Sequence, residues 1–273
     1  MKLNRQTPQP YSNLLQLTNC RHGRMLYFPH DVYIGGALEA YGEYAEVECQ
    51  FLCKMLSEGS TVIEAGANIG TLTLPMAKRV GMAGRVYAYE PQRIIFNMLC
   101  ANIALNVAWN IHAKHSALGA ASTELGVPFV DYTQPGNFGG VSLSYTSMPE
   151  MVPVQTIDSL ELIACRLIKA DVQGMESAVL TGALQTIARC KPFLYVENDD
   201  DTNDLPKLMV ELGYDVYEHK TPLFNPDNWR SERKNHFPNI VSYNILGVPH
   251  EFREYVTVQL KSWEFAAHKT GRV

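Results

Sequence analysis

The sequence predicts an α/β fold in which a largely parallel sheet carries helices on both faces, with a small β/α extension in front of it. Short β-branched and apolar runs alternate with segments whose apolar residues recur at helical spacing, which is typical of βαβ units. Glu64 lies near the end of the run at 61–65, and Glu90 directly follows the run at 85–89. Ligands bind at the carboxyl edge of such sheets, so we expect the functional site there.

The composition fits one large domain with additions. The chain has 273 residues, of which 46% are hydrophobic and 19% charged, so it can bury a substantial core. A net charge of −5 indicates no nucleic-acid partner. We see no secretory leader and no apolar run near the roughly 20 residues of a membrane span, and the six cysteines form no C-x-x-C pair. We therefore expect a cytoplasmic protein. The sequence does not indicate its oligomeric state.

The first predicted unit, residues 1–60, combines a polar arm, two short strands and a lead-in helix. The arm covers residues 1–19, and the strands lie at 24–28 and 31–34 around the turn at Pro29 and His30. Apolar residues from Tyr44 to Leu56 then recur at helical spacing until Gly59. Cys49 and Cys53 share a face of this helix, where we predict packing rather than metal binding.

The second unit, residues 61–250, holds the alternating core, and residues 251–273 are predicted as a terminal helix. The expected strands are 61–65, 85–90, 111–116, 123–130, 152–156, 167–171, 193–197, 214–217 and 241–246, the fourth lying outside the parallel order. The helices between them are predicted to begin near Ile69, Pro91, Val179 and Leu205. Long irregular segments at 131–150 and 219–240 suggest lids over a site.

The turn after the first core strand indicates the cofactor. Gly66 and Gly70 frame it, but Asn68 and Thr71 replace the second and third glycines of a dinucleotide fingerprint. Glu64 would repel a diphosphate and could hold an ammonium group. Glu90, twenty residues past Gly70, suits hydrogen bonding to a ribose. This combination favours S-adenosylmethionine, which carries a sulfonium and an amine but no phosphate.

Several ordered segments resemble the FkbM family of S-adenosylmethionine-dependent methyltransferases. The matching stretches are 62–70, 86–91, 117–119, 137–143 and 168–174, preceded by a similar lead-in helix near 42–48. The resemblance spans residues 31–247. It implies a Rossmann-like, seven-stranded class I methyltransferase sheet, S-adenosylmethionine as donor, and usually a hydroxyl acceptor on a sugar, glycan or polyketide. The family commonly has Asp-Val-Glu-Gly where this chain has Gln173, a side chain that cannot take a proton.

The site residues expected from this resemblance fall into three groups. The cofactor group contains Glu64, Gly66, Ala67, Asn68, Gly70, Thr71, Glu90, Pro91, Ser116, Ala117 and Asp171. The acceptor group contains Asn137, Phe138, Gln173 and Trp229, and no metal ligand is expected. The candidate base is Asp171, with His236 as the alternative. Asp171 could instead only cap the following helix.

Rival interpretations remain open at this stage. An NAD-dependent oxidoreductase is disfavoured by the missing middle glycine. A non-catalytic module that uses the cofactor fold for partner binding gains some support from Gln173, and N-methylation would need a similar pocket. Glu197 and the acids 199–201 could hold a divalent ion, although solvated loop charge is the simpler interpretation.

Overall fold

The computed structural model describes residues 14–141, 149–198 and 204–254, together with a short strand at 266–267. The predicted arm therefore falls largely outside the described residues. The chain begins with an antiparallel hairpin of β1 (Gln16–Cys20) and β2 (Gly23–Tyr27). Helices α1 (Ile34–Tyr41) and α2 (Glu46–Met55) follow it.

The second predicted strand of the N-terminal unit is wrong. The partner of β2 is β1, and residue 34 begins helix α1 instead of ending a strand. The cause is Asp31, whose Oδ1 accepts hydrogen bonds from the backbone N–H groups of Tyr33 (3.0 Å) and Ile34 (2.8 Å). A carboxylate that satisfies these free donors stabilises a helix start.

The remaining elements alternate through the core. The strands are β3 (Thr61–Ala65), β4 (Arg85–Tyr89), β5 (Ile111–Lys114), β6 (Ala117–Leu118), β7 (Thr123–Val127), β8 (Glu150–Gln155), β9 (Leu167–Ala170), β10 (Phe193–Glu197), β11 (Tyr214–Pro222), β12 (Val241–Pro249) and β13 (Ala266–Ala267). The helices are α3 (Thr73–Val80), α4 (Arg93–Leu105), α5 (Glu176–Thr181), α6 (Leu184–Cys190) and α7 (Asp204–Glu211), with 3₁₀ turns at Asp158–Leu160 and His250–Phe252.

The main sheet confirms the predicted architecture. Its strand order is β11-β12-β10-β9-β3-β4-β5, and the two-residue strand β13 extends the β11 edge. The five strands from β10 to β5 pair in parallel, whereas β12 runs antiparallel to both of its neighbours. The chain leaves β3 toward β4 and β5, then returns to place β9 on the other side of β3. The order therefore reverses at β3 and β9, where such folds leave a crevice for ligands.

Helices cover both faces of this sheet. Val62 of β3 packs into a core cluster with residues of α2, α3 and α4, whereas its neighbour Ile63 packs into a second cluster with residues of α5, α6 and α7. Successive side chains of a strand point to opposite faces. A sheet covered on both sides therefore buries residues 62–65 of β3 in succession, of which only Glu64 is charged.

Two smaller features differ from the expectations in detail. The strand predicted at 111–116 ends at Lys114, and Ala117–Leu118 joins β7 and β8 in a separate three-stranded sheet. Strand β7 thus lies outside the parallel order, as predicted. Strand β11 continues to Pro222, so the irregular segment is shorter than predicted.

The predicted terminal helix over 251–273 lies mostly outside the described residues, where it stays a prediction; residues 253 and 254 are helical, whereas residues 266 and 267 form strand β13. His250–Phe252 forms a 3₁₀ turn, and β13 pairs antiparallel with Tyr217 and Glu218 of β11. Residues 255–265 and 268–273 lie outside the described residues. Within the described part of the chain, no helix combines the length and hydrophobicity that a membrane crossing requires.

Candidate active site

A cavity of about 360 Å³ opens at the carboxyl ends of β3, β4 and β9, where the strand order reverses. The predicted site residues that line it are Glu64, Gly66, Ala67, Asn68, Thr71, Glu90, Pro91, Ser116, Ala117, Asn137, Asp171 and Gln173. The segment 239–241 and the side chains of Tyr33 and Tyr44 close other sides. The parallel strands therefore bring together residues that lie up to 109 positions apart in the sequence, from Glu64 to Gln173.

In the turn after β3, the backbone at Gly66 packs closely against the carbonyl group of Asp171, just after β9. Gly66 has a φ of 78°, and a Cβ at this position would lie 1.9 Å from the carbonyl oxygen of Asp171. Its N–H, like that of Ala67, donates to the carbonyl oxygen of Tyr89. Glycine is thus required both by the left-handed conformation and by contact with the neighbouring strand end, which fixes the floor of the cavity.

Glu90 is held by backbone donors on both of its oxygens. Oε2 accepts from the N–H of Asn68 at 3.0 Å, and Oε1 accepts from the N–H of Gln92 at 2.8 Å. Burial raises the pKa of Glu90 to about 7, although these two donors act against the shift. Each carboxylate oxygen keeps a second lone pair, so this oriented group can still accept from a ligand's hydroxyl.

Glu64 lies beneath the same turn. Its Oε2 accepts a hydrogen bond of 2.6 Å from the Thr73 hydroxyl, and the carboxyl is almost fully buried. Burial raises its pKa to about 7, while the nearby ammonium of Lys169 lowers it. A cationic ligand in the cavity would stabilise the ionised form in the same way.

Lys169 is a site residue that sequence reasoning missed. Its side chain is only 3% exposed, and Nζ lies 3.3 Å from Oδ2 of Asp171. Although burial opposes its charge, the carboxylates of Asp171, Glu64 and Glu48 raise its pKa. The available signal was a lysine inside the otherwise apolar strand β9, because a buried lysine is rare unless it is paired.

Asp171 follows β9 and presents its carboxylate to the cavity. Its side chain is 38% exposed. Burial opposes ionisation, but the Lys169 ammonium and side-chain hydrogen bonds lower its pKa below the usual value. Asp171 is therefore an anion at neutral pH, which suits a group that faces positive charge.

Gln173 joins two carboxylates at the mouth of the cavity. Its Nε2 donates to Oδ1 of Asp171 at 3.0 Å and to Oε2 of Glu197 at 2.7 Å. The backbone of Gln173 is left-handed, with a φ of 55°. A glutamine therefore supplies the donor that an ionised glutamate at this position would lack. The neighbouring acids 199–201 lie outside the described residues.

Ser116, which lies between β5 and β6, and Ala117, the first residue of β6, line the cavity beyond Glu90. The Ser116 hydroxyl is buried and finds no hydrogen-bond partner among the described residues. A buried hydroxyl without a partner is costly. A polar ligand at this wall of the cavity would provide the missing partner.

The irregular loop up to residue 141 contacts the cavity through only some of the expected residues. Asn137 and Gly139 line it, whereas the Phe138 ring points away and packs on Phe28 and Tyr132, with centroids 5.7 Å and 5.0 Å apart. The Phe138 carbonyl accepts from Nε2 of Gln92 at 2.8 Å. The prediction that Phe138 contacts the acceptor is therefore corrected, because this ring anchors the loop. Ser142 and Leu143 fall outside the described residues.

Three further predicted residues lie outside the cavity lining. Trp229 is 54% exposed, and its backbone N–H donates to Glu43. The His236 ring packs beside Tyr41, with its Nε2 3.7 Å from Glu232. A Cβ added at Gly70 would meet the side chain of Leu99 on α4, so this glycine faces α4 instead of the cavity. Trp229 lies beside Gly42 and His236 beside Tyr41, at the end of α1, so both side chains contact that end of the helix instead of the strand ends.

The charge distribution of the cavity defines the ligand class. Four carboxyl groups line it, from Glu64, Glu90, Asp171 and Glu197, against the single ammonium of Lys169 among the described lining residues. Such an environment favours a cation and disfavours a phosphate. The Ser116 hydroxyl has no partner among the described residues, and Gly66 leaves room beside the turn after β3. Together with these features, the environment fits S-adenosylmethionine. The fold and the cavity thus define a Rossmann-like S-adenosylmethionine-dependent methyltransferase.

The particular family follows from comparison with known proteins. The model of the methyltransferase FkbM domain matches residues 64–216, which is more than half of the chain. The chain therefore belongs to the FkbM methyltransferase family. The chain matches no curated protein sequence.

The chain is also similar to several solved structures at low sequence identity. The chain is similar to the FkbM methyltransferase from Methylobacillus flagellatus KT, with 20% identity and a TM-score of 0.48 over 70% of this chain and 44% of that one. It thus spans less than half the length of that protein. It is also similar to the precorrin-6y C5,15-methyltransferase from Geobacter metallireducens GS-15 (13%, TM-score 0.45, covering 75% and 87%). A third similar structure is M. jannaschii TYW2 in complex with AdoMet (13%, TM-score 0.45, covering 86% and 85%).

Proposed function

We propose that the protein transfers the methyl group of S-adenosylmethionine to a hydroxyl group of a sugar, glycan or polyketide-like metabolite, with residues 61–250 as the catalytic domain. The observation that carries this proposal is the carboxylate of Asp171. It is ionised, partly exposed to the cavity and fixed by Lys169 and Gln173. An alcohol has a high pKa and benefits from a base that takes its proton as the new bond forms.

The residues of the first two strand ends would hold the donor. Glu64 and the turn at Gly66 and Asn68 face the methionine portion, where a carboxylate can pair with the ammonium group. Glu90 would accept hydrogen bonds from the ribose hydroxyls. Its two backbone donors fix the carboxylate before any ligand arrives, which lowers the ordering cost of binding.

The adenine would lie farther along the same edge. Pro91, Ser116 and Ala117 line this part of the cavity, and the Ser116 hydroxyl would gain the partner that it lacks among the described residues. Ala67 and Thr71 line the cavity beside the turn, where they would contact the donor. Gly70 would act indirectly by shaping the turn.

S-adenosylmethionine supplies an electrophilic methyl carbon on a sulfonium. The role of the protein is to hold an acceptor oxygen in line with the carbon–sulfur bond, since alignment alone can supply much of the rate enhancement. In this reaction the oxygen–carbon bond would form as the carbon–sulfur bond breaks, and the bonding pair would stay on sulfur. The acceptor's proton passes to the carboxylate of Asp171, whose exposed fraction gives it a route to solvent.

The acceptor would enter between the lid and the Asp171 side of the cavity. Asn137 and Gln173 line this region and offer amide donors and acceptors that match hydroxyl groups. Tyr33, Tyr44 and Val241 provide adjoining walls. We assign the acceptor contacts to these residues, and the catalytic base to Asp171 in preference to His236.

A methyl-transfer assay with matched acceptors tests the proposal. The release of S-adenosylhomocysteine would be measured with a panel of sugar and polyketide alcohols and with the corresponding amines. We expect turnover with at least one alcohol. Asp171→Asn should lower it about 100-fold or more, while His236→Ala and the surface variant Asp204→Asn retain it. Turnover with amines alone, or full activity of Asp171→Asn, would contradict the proposal.

A further inference from the structure

A second cluster of ligand-type side chains lies away from the cavity, between the N-terminal hairpin and α2. His22 belongs to the turn between β1 and β2, and Glu46 and Cys49 lie three positions apart on α2. Nε2 of His22 lies 2.6 Å from Oε2 of Glu46 and 3.5 Å from Sγ of Cys49. The three candidate ligand atoms all lie within 4.8 Å of one another.

These separations are compatible with one tetrahedral metal ion. With Zn–N near 2.0 Å and Zn–S near 2.3 Å, a tetrahedral angle places nitrogen and sulfur about 3.5 Å apart, which matches the His22–Cys49 distance. Two ligands near 2.0 Å would lie about 3.3 Å apart. The His22–Glu46 pair at 2.6 Å would need to open by about 0.7 Å, a shift that a small rotation of the imidazole on its partly exposed turn can provide.

Neighbouring side chains determine which oxygen atom of Glu46 faces His22. Its Oε1 accepts a hydrogen bond from Nε2 of Gln50 at 3.0 Å, which leaves Oε2 directed at His22. Arg21 pairs with Glu43 at 2.6 Å and lies farther, 3.7 Å, from Oε1 of Glu46. Hydrogen bonds that orient a ligating carboxylate in this way are a common feature of metal sites.

Burial and charge also fit a dication. The side chain of Glu46 and the residue Cys49 are each only 2% exposed, whereas the His22 side chain is 27% exposed. A carboxylate and a thiolate would neutralise Zn²⁺ inside the fold, and the exposed side of His22 admits water as the fourth ligand. The mixed nitrogen, oxygen and sulfur set favours zinc over magnesium or calcium, which prefer oxygen alone.

We propose that His22, Glu46 and Cys49 form a zinc-binding site that joins the N-terminal hairpin to α2. None of these three residues lines the cavity, so the site is structural and independent of methyl transfer. The helix pattern alone could not indicate it, because His22 is separated from Glu46 by 24 positions and only the fold brings them together.

Metal titration of the full chain, first stripped with a chelator, tests this proposal. We expect the wild type to bind one Zn²⁺ per chain in competition with a chromogenic chelator, and zinc to raise its melting temperature. His22→Ala and Cys49→Ala should bind zinc more than about 100-fold more weakly, with no rise in melting temperature. Cys165→Ala removes another buried thiol, outside the cluster, and should behave as the wild type does.

Cobalt substitution provides an independent readout. The Co²⁺-loaded wild type should show a thiolate-to-metal charge-transfer band that is absent from Cys49→Ala and present in Cys165→Ala. If Cys49→Ala fails to fold, His22→Ala decides the matter, because its side chain lies on a partly exposed turn. Zinc binding that is absent from the wild type, or equal in the wild type and His22→Ala, would overturn the proposal.

Discussion

The ammonium group of Lys169 lies 3.3 Å from Oδ2 of Asp171, and both residues line the cavity. This pair sets the electrostatics of the site, because the buried lysine also faces Glu64 and Glu48. Its charge keeps Asp171 ionised while the carboxyl groups of Glu64 and Glu90 remain available to a cation. The cavity therefore combines a fixed anion with two carboxyls of raised pKa.

Lys169→Met should destabilise the protein strongly. The buried ammonium of Lys169 faces Glu64, Glu48 and the partly exposed Asp171. Its removal should therefore cost roughly 1–3 kcal/mol, below the value of about 3–5 kcal/mol for a fully buried pair, because solvent screens Asp171. Urea unfolding at neutral pH measures this loss. The matched control is Lys207→Met, since Lys207 is exposed and pairs with Asp204 at 3.5 Å, a contact worth less than about 1 kcal/mol. Equal losses in the two variants would contradict a structural role of the Lys169 charge.

Gly66→Ala should abolish cofactor binding. The new Cβ would lie 1.9 Å from the Asp171 carbonyl oxygen, so the turn and the end of β9 would have to separate. The control is Gly213→Ala, where φ is 87° but no atom lies within 4 Å of the added Cβ. That variant should lose about 1–2 kcal/mol from backbone strain and bind S-adenosylhomocysteine normally. Calorimetric titration of both variants provides the comparison, and unchanged binding by Gly66→Ala would refute the proposed role of this turn in holding the cofactor.

The affinity for S-adenosylmethionine should rise with pH through neutrality. Burial gives Glu64 a pKa of about 7, and a cation binds its ionised form. Affinity is therefore full above this pKa and falls as the pH drops below it, and Glu64→Gln should reduce the slope. Glu48→Gln is the control, because burial raises the pKa of Glu48 equally to about 7 while its side chain lies outside the cavity lining. Identical pH profiles for the wild type and Glu64→Gln would count against the assigned contact.

Gln173→Glu should move the pH dependence of methyl transfer. A carboxylate at this position would lie within hydrogen-bond distance of Asp171 and Glu197, and a like charge raises the pKa of its neighbours. The acidic limb of the kcat/KM profile should therefore shift to higher pH. Gln185→Glu, on an exposed helix surface, should leave the profile in place. An unchanged acidic limb in Gln173→Glu would mean that Asp171 is not the titrating base.

Local sequence patterns were sufficient to predict the parallel sheet and the residues at its strand ends. The runs at 61–65, 85–89 and 167–171 are apolar and end near acids, so their placement at one edge follows from the periodicity of parallel strands. The contacts of Asp31 with the start of α1 were not anticipated, since they depend on the local backbone conformation that brings its Oδ1 to the N–H groups of Tyr33 and Ile34.

The directions of side chains in the irregular segments could not be predicted from the sequence. Phe138 and Trp229 are residue types that often contact ligands. The Phe138 ring, however, packs on Phe28 and Tyr132, and Trp229 lies beside Gly42. These contacts join distant parts of the chain. Lys169 was overlooked for the same reason, because the carboxylates that stabilise its charge come from α2, β3 and the residue after β9.

Calorimetric titration with S-adenosylhomocysteine tests the central claim most directly, with NAD as the competing ligand class. We expect saturable binding of S-adenosylhomocysteine by the wild type and by the surface variant Glu211→Ala, no binding of NAD, and a clear loss of affinity in Glu90→Ala, which lacks the oriented carboxylate. If the folded wild type fails to bind S-adenosylhomocysteine, or if Glu90→Ala binds it as tightly as the wild type does, the assignment of this cavity as the cofactor site is wrong.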